Sequence, residues 1–549
     1  MKAVFSSFGG IIPRYSQHQL PDNGATVAHN VKLRNGKLQA WRELQECKKL
    51  GSNIVSFYSY GCCHIGWSTI VYSAEVSPDW GTLYLAGRIA YPEVATIDKG
   101  TCAVTYRRLG IYSPLSPLLA NASEICERDT DGRAYVYTYV NSFGEESAPS
   151  PPSRLLNVQD GTPVSLTGIK LPPEEYDIVA VNIYRSATAF RTEDPSNQSP
   201  ASEWLYVATV DLPSTSYTDR KLLLELGNPL ETLYNNEPPA KLTNLTSITG
   251  SIRLAGTVAN RVYLSEVNEP YNWPAKYVLT MDSNIVHMVN VDDKLYVSTN
   301  TTPYIIDTSD CSEVSCTPVT DLGVPLPDIS CSHANAAIAT PHGMLYSSPL
   351  GLVLVSSNAQ YHIITSDWFS ATDWQELAPD TARLAYYEGF IFCITDKISF
   401  MLNINGDVYN DLKGTELTTI SDKPIALRVS NTGSLYMLID DMLYIWDKAN
   451  DYRPYQWVST NISGGSHNAN TPNGSTWSPS SAKIKSKDTK FTIQTEDNKV
   501  NYSRVVVSDN PIRLPRIGRH LNYKIKLEGI SPVEYVLLGN ANNTLNYGE

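Results

Sequence analysis

Gly343-Met344-Leu345-Tyr346-Ser347, Gly351-Leu352-Val353-Leu354-Val355 and Tyr361-His362-Ile363-Ile364 follow one another with only a few turn-forming residues between them. Each run is short, rich in leucine, β-branched or aromatic side chains, and bounded by Gly, Pro, Asn or Ser. That is the pattern of antiparallel strands joined by tight turns. The unit recurs: Asp293–Ser298 precedes Pro303–Asp307, Gly389–Ile394 precedes Ile398–Leu402, and Gly433–Leu438 precedes Met442–Asp447. The equivalent positions Leu295, Leu345, Ile391 and Leu435 are spaced by about 50, 46 and 44 residues, near the period of propeller blades. An earlier stretch, Arg261–Ser265, reads as a further member of the series. Blades pack face to face, so their strands are apolar on both sides. Two stacked sandwiches would be the competing architecture, and the recurring period favours a propeller across 241–480.

Working outward, 132–220 reads as one β-sandwich. Arg133–Val140, Val164–Leu166, Ile178–Arg185, Trp204–Val210 and Thr215–Asp219 alternate apolar with polar residues, as strands with one face on a core do. The Pro-rich stretch Ala148–Ser153 breaks the series, and the loop Arg191–Ala201 is polar. The spacing resembles a fibronectin type III module. Residues 221–240, ending in Glu237-Pro238-Pro239, read as a linker. Residues 1–131 form an N-terminal β region, part of a platform or of the propeller. A Gly/Ser/Asn-rich boundary at Asn461–Ser481 leads into a strand-rich C-terminal region, 481–549. Helical patterns are scarce, with short candidates at Arg42–Leu50 and Trp374–Leu384. The expected class is all-β: propeller-like repeats, an inserted fibronectin III/Ig-like sandwich and a strand-rich C-terminal region.

At 549 residues the chain exceeds what a single core organises. Charged residues make up 18%, below the roughly 25% of ordinary soluble domains. Tyr (34) far outnumbers Phe (10), which suits half-buried sheet faces where the ring is covered and the hydroxyl stays wet. The formal charge of −13 argues against a sequence-specific nucleic-acid binder, which carries a basic footprint. It does not exclude a surface past which nucleic acid slides, because a repulsive wall prevents sticking. No apolar run is long enough to span a bilayer, and the first ten residues make a poor signal peptide. The nine cysteines, odd in number and thinly spread, are unlike a secreted disulfide scaffold and read as reduced thiols.

None of the common nucleotide, nucleophile-elbow, metalloprotease or calcium-loop motifs occurs. Cys62-Cys63-His64 and Cys311…Cys316…Cys331 lack the paired spacing of a zinc site, and His362 reads as a packed strand residue. Ser77–Tyr84 resembles the Asp-box turn of sialidase-like propellers, a structural motif away from any active site. A sialidase-like centre would need clustered arginines and a tyrosine nucleophile. The expectation is therefore a non-enzyme without cofactor or metal. One local reversal of charge stands out: Arg504, Arg513, Arg516, Arg519, His520, Lys524 and Lys526. On an acidic chain it points to a subunit or partner interface, or else to a solvated strand face.

Several stretches together resemble the tail nozzle proteins of short-tailed bacteriophages, also called tail tubular protein B. They are Gly9–Arg14, Leu20–Ala25 and Ala28–Leu38, then Tyr137–Ser150 with Ile183–Ser186. Tyr263–Glu266 with Asn272-Trp273-Pro274, and Arg513–Arg516, complete the set. The resemblance implies a ring of six copies below the portal and adaptor. The ring would surround a channel through which double-stranded DNA leaves without sequence-specific binding, with fibres or spikes attached nearby. It also implies a virion tail protein made in the host cytoplasm. A glycan-binding or glycan-cleaving propeller, and a propeller serving as a protein-interaction platform, are the rival readings.

Overall fold

The computed structural model describes every residue except 1, 35, 77–80, 123–130, 188–202, 251, 309–313, 320–334, 406–412, 464–475, 496–498, 541–544 and 546–549. Within these limits the chain is all-β, carrying propeller-like four-stranded sheets, a sandwich inserted in sequence between two of them, and a strand-rich C-terminal region. It divides into two compact units, 1–71 with 283–307 and 315–549, and 72–282 with 308–314.

In the first unit four successive four-stranded antiparallel sheets are formed. The strands Ile285–Pro318 make one, Ala337–Ile363 the next and Arg383–Thr419 the third. The fourth takes Ala426–Val429, Leu435–Ile439 and Met442–Ile445, with Gln45–Lys49 as its outer strand. A hairpin, Ser56–Tyr60 with Cys63–Trp67, follows in space. The first strand of each sheet lies beside the first strand of the next.

Alternation decides which side chain faces which neighbour. Met344, Tyr346, Val353 and Val355 pack on Tyr296 and Ile305 of the preceding sheet. Leu345, Leu352 and Leu354 pack on Ile391, Cys393, Phe400 and Leu402 of the following one. Phe390, Phe392 and Met401 then meet Leu427, Leu435, Met437 and Trp446, and Leu438 with Leu443 covers Phe57. Leu295, Leu345, Ile391 and Leu435 each lie on the second strand of their sheet, fully buried.

Three expectations need correction. Arg42–Leu50 is not a helix: Gln45–Lys49 is an edge strand with all five side chains exposed. Its helix-forming residues yield to the unpaired edge of Met442–Ile445, because tertiary pairing overrides a weak local propensity. The second helix runs over Ala371–Glu376, earlier than Trp374–Leu384, because Ser370 and Asp373 form a capping box at its start. Trp374 anchors it, its indole N–H donating to the Ser348 carbonyl at 2.9 Å. Arg261–Leu264 is the third strand of its sheet rather than the counterpart of the Leu295 strand, since Leu254–Val258 takes the second place.

The Arg383–Thr419 sheet continues beyond its fourth strand. Lys413–Thr419 pairs in parallel with Ala25–His29, and the ladder proceeds through Tyr455–Ser459, Asn522–Gly529 and Thr489–Thr495 to Val500–Val506. A smaller sheet of Lys2–Phe5, Val536–Gly539, Ser481–Ile484 and Ile512–Arg513 shares its core, with Phe5, Phe8, Trp457, Phe491, Tyr523 and Leu538 buried together. The N-terminal forty residues and the C-terminal region thus build one core.

In the second unit the Tyr72–Arg108 and Thr243–Thr280 sheets pack on each other through Ala74, Ala86, Val94, Leu245, Leu254 and Trp273. The sandwich joins Leu119–Ala122, Val164–Thr167 and Ser216–Asp219 to the sheet of Tyr135–Asn141, Ile178–Ala187 and Glu203–Asp211. Tyr135, Tyr137 and Tyr139 point into its core. The free edge of their strand is covered by the Pro-rich stretch. The N–H groups of Ser147, Ser150 and Ser153 donate to the carbonyls of Tyr139, Tyr137 and Tyr135 at 3.0, 2.8 and 2.8 Å. The three serine hydroxyls in turn accept from the N–H groups of the same tyrosines. A three-residue repeat, the period of a polyproline-type segment, presents the serines in line. The loop 191–201 lies outside the described residues.

Arg185 and Asp219, 1% and 0% exposed, form an ion pair at 3.0 Å that joins the two sheets of the sandwich. The Tyr135 hydroxyl donates to the same carboxylate at 2.9 Å, and burial together with the Asp219 charge pushes its pKa well up. Removing one member of a buried pair strands the other in a low dielectric. Asp219→Ala is expected to lower the stability of the sandwich by about 3–5 kcal/mol in denaturant titration of the full chain. Asp219→Asn, which keeps an acceptor for Tyr135, should cost less.

Candidate functional site

The basic residues singled out in the sequence all fall in the C-terminal region of the first unit, and their surroundings differ. Ile512, Leu514 and Ile517 sink into the core, which leaves Arg513, Arg516 and Arg519 exposed between them. The segment is pinned at several points. The Leu514 N–H donates to Ser480 O at 2.8 Å, and Trp477 and His520 exchange main-chain bonds. The Tyr523 hydroxyl lies 2.8 Å from Gly518 O and 3.0 Å from Trp477 O. Gly518 turns the chain at φ +87°, a conformation that favours glycine. The His520 ring, also exposed, stands edge-on to Tyr523. Three guanidinium groups are therefore displayed on an ordered turn.

Arg504 lies on Val500–Val506, the last strand of the long sheet, which has no further strand beyond it among the described residues. Arg504, Val500, Val505 and Val507 are exposed there. Such an edge offers unpaired main-chain groups to another strand. Lys524 and Lys526 behave differently. Lys524 is buried and its Nζ donates to Gln17 Oε1 at 2.8 Å, and Lys526 is paired with Glu528 at 2.8 Å. The exposed members are thus Arg504, Arg513, Arg516, Arg519 and His520. Alternation puts Tyr523, Ile525 and Leu527 in the core and Lys524 on the opposite face, where it is buried against Gln17, which a count of charges along the sequence does not register.

A second constellation escaped the sequence reading. Cys47 Sγ lies 3.2 Å from His64 Nε2, and His64 Nδ1 lies 2.9 Å from Ser59 Oγ. The outer strand Gln45–Lys49 supplies the thiol and the Ser59/His64 hairpin the rest, so pairing of separated segments brings them together. Reading Cys47 onto a helix hid this, and no local motif would have revealed it. Nucleophile, base and orienting hydroxyl are in contact in the order a thiol enzyme needs. The electrostatics oppose that use. Desolvation raises the Cys47 pKa above its ordinary value, with the Lys48 charge opposing it, and burial lowers that of His64. Both groups are therefore neutral near pH 7, with little thiolate.

The other sequence candidates are scattered. Cys63 is disulfide-bonded, so the reduced-thiol reading fails there; spacing along the chain does not tell which distant segment a thiol meets. Ser77–Trp80, the first half of the Asp-box-like stretch, and Cys311 and Cys331 lie outside the described residues, while Thr82–Ala86 forms a strand. Among the described residues no helix is long and apolar enough to cross a membrane.

No protein-family model and no curated protein matches the chain. Among solved structures it is similar to the WD40 repeats of RRP9, with TM-score 0.31 and 9% identity over 76% of this chain and 99% of that one. It is also similar to a streptogramin B lyase, with TM-score 0.29 and 10% identity over 76% of this chain and 100% of the other. A third is PorZ, a surface component of the type-IX secretion system of Porphyromonas gingivalis, with TM-score 0.27 and 12% identity over 90% and 71%. Alignments this loose bear neither on blade number nor on function.

Alkylation of Cys47 by iodoacetamide, mapped by mass spectrometry, should be slow at pH 7 and climb only above the ordinary thiol range, since a raised pKa leaves the thiol protonated at neutrality. His64→Ala should change the neutral-pH rate less than about tenfold, far from the ~10²–10⁴ that a general base contributes.

Proposed function

We propose that this chain is a structural subunit of a short bacteriophage tail, a nozzle subunit that closes into a ring around the channel for DNA ejection. The observation that carries the reading is the surface of the C-terminal region: an open sheet edge with outward valines, and an anchored turn displaying Arg513, Arg516 and Arg519. A closed ring needs a heterologous interface in which one patch meets a different patch on the next copy. On a chain of net charge −13, an acidic surface of the neighbouring copy is the natural counterpart of a basic turn. The same acidic balance disfavours trapping of double-stranded DNA during passage. Sheets packed face to face make a stiff wall. The likeness of Gly9–Arg14, Tyr137–Ser150 and Arg513–Arg516 to nozzle proteins supports six copies per ring, contact with an adaptor, and attached fibres or spikes. In this reading the protein is made in the host cytoplasm, ends in the virion tail and catalyses no reaction.

Purified full-length chain should give rings with an open centre in negative stain and a matching native mass, and antibodies to it should label virion tails. A stable monomer under all conditions, or hydrolysis of host glycans lost on mutation of a single carboxylate, would sink the proposal in favour of a glycan-directed propeller. Arg513→Glu with Arg516→Glu and Arg519→Glu, and separately Val505→Lys on the open edge, should each prevent ring formation while leaving the circular dichroism spectrum unchanged. Assembly unaffected by both removes this surface from the interface.

A further inference from the structure

The first strands of three neighbouring sheets begin around one cavity of about 340 Å³. Arg383 opens Arg383–Tyr387, Ala426 opens Ala426–Val429 and Ser56 opens Ser56–Tyr60, and all three line the space, together with Asn335 and 68–71. A volume of roughly 300–1,000 Å³, mostly apolar walls and a few convergent polar groups are the usual attributes of a small-molecule site. Here Val55, Phe57, Ile70 and Leu427 supply apolar wall.

The charge of the lining has one sign. Among the described residues Arg383 and Arg428 are its ionisable members, and no carboxylate lines it. Most of the polar groups are engaged. Ser56 Oγ donates to Thr69 O at 2.6 Å and accepts from the Val71 N–H at 3.2 Å. The Asn335 amide donates to the Leu427 carbonyl, and the Arg428 guanidinium lies over the Tyr58 ring at 4.5 Å. Arg383 is different. Its Nη2 donates to Asp396 Oδ1 at 3.1 Å, but that carboxylate is 60% exposed and shared with water. Its Nε is buried without a hydrogen-bond partner. A guanidinium carries several N–H donors, so one held by a single solvent-shared carboxylate has capacity for an acceptor placed in the cavity.

We propose that this cavity is a binding site for a small carboxylate with an apolar body, the carboxylate accepting from Arg383 and the body filling the space between Phe57, Ile70 and Leu427. Arginine suits a carboxylate because its planar donors match the two oxygens. Inorganic phosphate fits poorly: it is more highly charged and hydrated, and an apolar wall offers it nothing. A free organic acid and the C-terminal carboxylate of a peptide present the same chemistry. The proposal is independent of ring assembly, so either can fail alone.

Isothermal titration of the full-length chain with 3-phenylpropanoate tests it, with 3-phenylpropanamide, inorganic phosphate and the peptide Gly-Gly-Phe as further probes. One saturable site of millimolar affinity or better is expected for the acid, with the amide and phosphate weaker by roughly tenfold or more, the scale of one charge-assisted hydrogen bond. Arg383→Gln should bring a similar loss, and Ala426→Phe, which fills the cavity and leaves Arg383 in place, should abolish binding; circular dichroism checks the fold of both variants. Binding of Gly-Gly-Phe alongside the acid assigns a peptide C-terminus as ligand, and binding of the acid alone assigns a free acid; both support the site. Amide or phosphate binding as tightly as the acid, retained binding in a folded Ala426→Phe variant, or no saturation by the acid in the wild-type chain overturns it.

Discussion

The constraint on which the rest depends is that a four-stranded sheet has two apolar faces to cover and two edges of unpaired main-chain groups. In the first unit the faces are covered by neighbouring sheets. Met344 and Tyr346 meet the sheet before, and Leu345 and Leu354 meet the sheet after. One strand thus serves two cores through the alternation of its side chains. The edges are treated individually. The sheet ending at Met442–Ile445 takes Gln45–Lys49 from far upstream as a fourth strand, and Lys48 and Lys49 then leave a charged outer rim, which discourages further pairing. The sheet of Lys413–Thr419 is instead prolonged by Ala25–His29 into the C-terminal region.

The inserted sandwich meets the same demand by other means. The strand Tyr135–Asn141 has its edge closed by serines three residues apart, whose N–H groups and hydroxyls serve alternate tyrosines. Across its core, Arg185, Asp219 and Tyr135 replace apolar contact with a buried charge cluster. Such a cluster demands one relative placement of the two sheets, because a displaced partner would leave a buried charge alone. The abundance of tyrosine is thereby explained in part: the buried rings fill the core while their hydroxyls reach Asp219 or, for Tyr139, the Lys170 carbonyl.

Several sheets end on strands without a further partner among the described residues. Val500–Val506 ends the longest sheet with exposed valines and Arg504, and the adjoining stretch of sequence displays three more arginines on a turn held by Ile512, Leu514 and Ile517. Charge and edge together are the features on which the proposed ring contact rests. The cavity at the start of the inner strands has the opposite character. It is lined by elements that sheet packing brings together, and the chemistry proposed for it rests on Arg383, a residue with no distinction in the sequence.

The all-β class, the strand runs and the second-strand residues Leu295, Leu345, Ile391 and Leu435 were legible from the sequence, because alternation, turn residues and a recurring period are local properties. The period did not say which face each residue takes. Leu345 faces the following sheet while Ile391 and Leu435 face the preceding one, since a shift of one residue reverses every side chain. Nor could it place Gln45–Lys49 on a sheet edge, bury Lys524 against Gln17 while leaving Arg513, Arg516 and Arg519 outside, bring Cys47 to His64, or gather Arg383, Ala426 and Ser56 around one cavity. Those outcomes depend on pairing between segments far apart in the chain. Main-chain hydrogen bonding between strands carries little sequence identity of its own, so only the tertiary structure decides which strands meet.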